Sequence, residues 1–117
     1  MALRTGVGKW ISRSVHKWTA SGLLNGDTST MLNAPSLPDK TVSVTGTFGT
    51  GGSVSLEGDN VDGTSGVILK DTAGNNLTFT AAGVVAIAPD AAFIRAHVTA
   101  GDGSTNLQID IISTKAK

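Results

Sequence analysis

The segment from Thr41 to Asp71, TVSVTGTFGTGGSVSLEGDNVDGTSGVILKD, restricts the chain to one class of fold. Short runs with apolar residues at every second position alternate with clusters of Gly, Asp, Asn, Ser and Thr. Val42, Val44 and Phe48 keep even spacing, as do Val54 with Leu56 and Val67 with Leu69. Successive side chains of a strand point to opposite faces, so each run presents one apolar and one polar face. Reversals between such runs need positive φ, which Gly, Asn and Asp adopt at little cost. The pattern predicts antiparallel β structure. Strands are expected near 41–48 and 52–58, joined as a hairpin at Gly49-Thr50-Gly51-Gly52, with a third run near 66–70.

The same rhythm continues through Leu77–Thr80, Val84–Ala88, Phe93–Val98 and a last strand with Leu107, Ile109 and Ile111 on one face. Turn signals stand at Asn25-Gly26-Asp27, Asp71–Asn76 and Gly101–Ser104, and Pro35 and Pro38 punctuate an extended connection. Roughly seven to nine strands at this spacing predict an all-β protein, an antiparallel β-sandwich or jelly roll with an extended N-terminal arm. A chain of 117 residues supports one such domain. With no cysteine it has neither a disulfide framework nor a thiolate metal site. No apolar run approaches the roughly 18 residues of a membrane-spanning helix.

The first 20 residues differ from the rest. They carry Arg4, Lys9, Arg13 and Lys17 and no acid, whereas the remainder sets nine acids against five bases. Residues 1–20 are therefore read as a basic arm and 21–117 as the β-sandwich domain. Leu3, Val7, Ile11, Val15 and Trp18 recur at nearly helical spacing, which suits a basic amphipathic helix. Gly6, Gly8 and the β-branched residues weaken that helix, and Val15–Ala20 equally suits a first strand. There is no apolar core of a secretory signal. The arm is expected to order against a partner subunit, the alternative being a frayed tail that leads into a first strand. Five aromatic residues occur in all, and Trp10 and Trp18 stand among Lys9, Arg13 and Lys17. Trp and Arg are the residues that anchor protein interfaces, so these five positions are the expected partner surface. They could also stack on nucleic acid, but a chain of net charge zero favours a protein partner.

Reaction chemistry is sparse. His16 and His97 are the only imidazoles, and neither stands in a nucleophile–base motif. His97 alternates with Arg95 along a strand, a solvent-facing arrangement. Two histidines are too few ligands for a zinc site. Glu57, Asp59 and Asp62 cluster at one turn and Asp102, Ser104 and Asn106 at another, but neither follows the spacing of a calcium loop. The Gly46–Gly52 stretch lacks the GK[ST] ending of a phosphate-binding loop. The chain is read as non-enzymatic, without metal or cofactor.

The order TVSVTGTFGTGGSVSLEGDNVDGT, LKDTAGNNLTFTAAG and FIRAHVTAGDGSTNLQIDII resembles a group of small virion proteins of tailed bacteriophages. Together with the upstream HKWT and LLNGDT segments, the resemblance covers roughly residues 16–114. Two positions depart from the group. Gly66 stands where a Trp is usual, and Ala96 replaces the usual Pro after Phe93-Ile94-Arg95. The resemblance implies a virion structural role, a head decoration or cement subunit made in the host cytoplasm and placed on the capsid surface. Its implied partners are the major capsid protein and further copies of itself, as a homotrimer, with no nucleic acid and no membrane. A tail or baseplate subunit is the alternative. A glycan-binding module is disfavoured, because the loops beyond residue 49 lack aromatic platforms.

Overall fold

The structure is a computed structural model that describes residues 3–13, 15–30, 39–59, 67–87 and 93–114. Eleven strands and no helix occupy the described residues, opening with β1 (Leu3–Arg4), β2 (Val7–Ser12), β3 (Val15–Leu23), β4 (Thr28–Ser29) and β5 (Asp39–Thr47). The chain continues through β6 (Ser53–Asp59), β7 (Val67–Ile68), β8 (Thr78–Phe79), β9 (Gly83–Ile87), β10 (Phe93–Ala100) and β11 (Asn106–Thr114). They form two sheets. One has the order β2-β3-β11-β5-β9 and is antiparallel throughout. The other runs β1-β4-β10-β6-β7, with β8 also on β6, and is antiparallel except for the parallel pair β1/β4.

The expected all-β sandwich is present. Residues of alternate parity on β5 and β11 (Val42, Val44, Leu107, Ile109, Ile111) meet Val54 and Leu56 of β6 and Ile94, Ala96 and Val98 of β10 in one apolar core. Each of these is at most 1% exposed. At about 25 cal/mol per Å² of apolar surface removed from water, this layer is the main stabilising term.

The expected hairpin at Gly49–Gly52 is a corner instead. β5 pairs with β11 and β9, whereas β6 pairs with β10, β7 and β8, so the chain changes sheets between residues 47 and 53. Here β5 and β6 face each other across the core rather than sharing a ladder, as in a jelly roll. The same crossing recurs between β3 and β4, β9 and β10, and β10 and β11. Gly49 and Gly51 at the corner have φ of 74° and 68°, the conformation that glycine tolerates.

The amphipathic helix does not form at the N-terminus. Leu3–Arg4 and Val7–Ser12 are strands, and the division expected at residue 20 falls inside β3. The reason lies in the glycines. Gly8 pairs with Trp18 in the ladder, and a Cβ there would sit 2.6 Å from His16 Nε2. A Cβ at Gly6 would overlap the Trp18 indole. Bare backbone at these two positions lets the arm lie flat on both rings.

Candidate interaction surface

The arm is anchored at both ends. At its start the Arg4 guanidinium donates to Asp27 at 2.7 Å, Thr30 N–H donates to the Arg4 carbonyl at 2.8 Å, and Gly6 N–H donates to Thr30 Oγ1 at 2.9 Å. From Val7 onward it is the terminal strand of the five-stranded sheet, with β3 on one side only. All six residues of β2 are exposed. Such an edge leaves backbone donors and acceptors open to a further strand.

Its exposed side chains are unusual in kind. Leu3, Val7, Trp10 and Ile11 are between 56% and 67% exposed, a concentration of large apolar groups on one short segment. Lys9 lies between Val7 and Ile11, and exposed Arg13 follows in the adjoining turn. Trp10 sets its ring edge-to-face against His16, with centroids 5.0 Å apart and planes at 69°. That contact restrains the indole while leaving most of it in solvent. Lys17 on β3 is half-exposed, its Nζ 4.0 Å from Asp110 Oδ1. Trp18, one of the five expected partner residues, is 4% exposed and belongs to the core. It shares parity with Ala20, so the ladder that exposes Lys17 turns Trp18 inward.

A second constellation occupies the outer face of the other sheet. The Arg95 guanidinium donates to Glu57 Oε1 at 2.8 Å, and His97 Nδ1 lies 3.0 Å from Glu57 Oε2. Beside them the Ser55 and Thr78 hydroxyls are 2.9 Å apart. Arg95 and His97 do stand on the outer face, but they are partly buried and share a carboxylate rather than facing solvent alone. Sequence reasoning missed Glu57 here because its partners depend on the register Arg95↔Glu57 and His97↔Ser55, which alternation alone does not specify.

The acidic turns are also committed. Asp102 accepts from Ser104 Oγ, from Ser104 N–H and from Thr50 N–H, the last at 2.9 Å across two loops. The Thr105 hydroxyl closes the same end by donating to the Phe48 carbonyl at 2.7 Å. Hydrogen bonds from the Ser104 hydroxyl and then the Thr50 backbone hold the Asp102 carboxyl well below its ordinary range. The Asn75 backbone N–H, followed by that of Ala73, lowers Asp71 in the same direction. Among the described residues no group of three His, Asp or Glu could hold a metal. Asp62 lies outside the described residues.

A depressed carboxyl stabilises the fold above its unfolded-state pKa, near 3.8, and that contribution is lost as pH falls toward the folded value. The melting temperature is therefore expected to be flat through neutrality and to drop below about pH 4. Asp102→Asn should flatten that drop, which thermal melts followed by circular dichroism across pH 2 to 7 would read.

No family model matches this chain, and no curated protein matches it. Solved structures do share its fold. The SPBc2 prophage-derived protein YomS superposes with a TM-score of 0.66 at 8% identity, over 92% of this chain and 100% of that one. A cupin domain from Bordetella pertussis Tohama I gives 0.55 at 14% identity over 99% of both chains. An RmlC-like cupin protein from Desulfovibrio desulfuricans gives 0.51 at 8% identity, over 94% and 82%. At these identities the likeness is one of fold: a jelly-roll-type sandwich.

Proposed function

We propose that the chain is a non-enzymatic structural subunit of a bacteriophage virion, a decoration or cement protein that binds neighbouring major capsid proteins through its N-terminal arm. The observation that carries this reading is the solvent-facing edge β2, where Val7, Trp10 and Ile11 stand exposed along with Lys9 on a strand open to pairing. The sequence resemblance to small phage virion proteins supports it, as does a fold shared with a prophage-derived protein. A homotrimer on the capsid surface would contact several capsid subunits at once, and such multivalency raises the barrier to their separation.

Deleting residues 1–18 would remove core Trp18 with the arm, so point substitutions are the better test. The variant Lys9→Glu/Trp10→Ala/Arg13→Glu should fold like wild type and bind heads of the parent phage about thirtyfold more weakly, the loss expected for one interface hot spot. Co-sedimentation with purified heads and with purified tails measures this. Undiminished head binding would refute the arm as the contact, and binding to tails alone would move the subunit to the tail.

A further inference from the structure

The inner face of the five-stranded sheet is apolar along most of its length and changes character at one end. In the ladder Ser113 of β11 stands between His16 of β3 and Lys40 of β5. These three share parity with Ile111, Trp18 and Val42, so they face the interior one step beyond the apolar rows. Ser113 is fully buried and Lys40 is 3% exposed. Trp10 packs against His16 from the edge, and Gly8 lies over its Nε2 side.

Two atoms of this row are conspicuous. Ser113 Oγ and His16 Nδ1 are buried, and no group among the described residues hydrogen-bonds to either. Buried polar groups are almost always satisfied, and an exception calls for a specific account. A hydroxyl that needed no partner would be matched or bettered here by an apolar residue of the same shape. Cross-strand neighbours place their Cβ atoms about 5 Å apart, so one small group can reach both.

We propose that the row His16–Ser113–Lys40 is a binding site for a small monoanion, a carboxylate in particular. The donor set decides the chemistry. A hydroxyl, an imidazole Nδ1–H and an ammonium can all donate, and the ammonium cannot accept. Lys40 has an interaction of its own, but its three donors can be distributed among several acceptors. A carboxylate offers two oxygens and about four lone-pair sites, enough to bridge Ser113 and His16 while facing the ammonium. A metal cation is disfavoured by Lys40, and a bulky ligand by the burial of Ser113. The site does not rest on the virion reading, although Trp10 of the arm packs against His16.

The test uses the whole chain with acetate as probe, at fixed pH and ionic strength. The melting temperature of wild type should rise with the logarithm of acetate concentration above Kd, by roughly 10 °C at a hundredfold excess over Kd. Ser113→Val should be at least as stable as wild type without acetate and should lose the acetate-dependent rise. Ser113→Ala serves if the valine variant fails to fold. Non-specific salt effects are common to all these proteins and cancel in the comparison. Imidazole signals of His16 in 15N-labelled protein should shift with acetate in wild type alone. The same shift on raising protein concentration without acetate would support the site with another chain's acidic side chain as occupant. An identical acetate response in wild type and variant, or no response in either, would overturn the proposal.

Discussion

Trp18→Ala is expected to cost about 3–5 kcal/mol of folding stability, the range for removing a buried large aromatic. Trp10→Ala should cost about 1 kcal/mol or less, because it loses chiefly one edge-to-face contact with His16. The two residues belong to the same basic, aromatic segment and differ in the face their strands present. Trp18 is 4% exposed beneath Gly6, whereas Trp10 is 57% exposed. Urea unfolding followed by tryptophan fluorescence distinguishes them. The emission of the Trp10→Ala variant should be blue-shifted, since only the buried indole remains. Equal destabilisation by the two substitutions would contradict the assignment of one ring to the core and the other to a partner surface.

Gly46→Ala is the second large effect. Gly46 sits inside β5, opposite Leu107 of β11, with φ of 115°. A side chain is strained there by about 1–3 kcal/mol from backbone conformation alone. A Cβ would also overlap the Asn106 carbonyl and lie 3.1 Å from Leu107 Cα, both of them backbone atoms that cannot rotate away. The ladder must open locally, beside the corner where β5 leaves its sheet. Gly51→Ala is the control: φ is 68°, but no atom lies within 4 Å of its Cβ, so it should show the conformational cost without the overlap. Denaturant midpoints of the two variants measure the difference, with Gly46→Ala expected to be clearly the less stable.

The contrast between these glycines shows where the sequence is informative. Turn chemistry marks Gly49 and Gly51, because positive φ is a local demand, whereas Gly46 stands inside the expected strand 41–48. That Gly46 also presses on a neighbouring strand follows from its pairing with Leu107, some sixty residues away. Glu57 makes the same point. Its place on a strand is legible, but the ion pair with Arg95 and the contact with His97 require the register between β6 and β10. Val67 shows the limit of parity itself. It matches Leu69 in spacing, yet it is 76% exposed and Leu69 is 8%, because two-residue β7 lies at the margin of its sheet.

By itself, the sequence determined that this is an all-β chain and which side chains of β5, β6 and β11 face its core. Period-two patterning sends Val42, Val44, Val54, Leu56, Leu107, Ile109 and Ile111 inward whichever strands are neighbours. Only the tertiary structure decided that the segment 41–71 turns a corner between two sheets. It also decided that the basic arm is an edge strand holding Trp18 in the core and Trp10 in solvent. The physical reason is that alternation is a property of one strand, whereas sheet membership and register are free energies shared between strands distant in sequence.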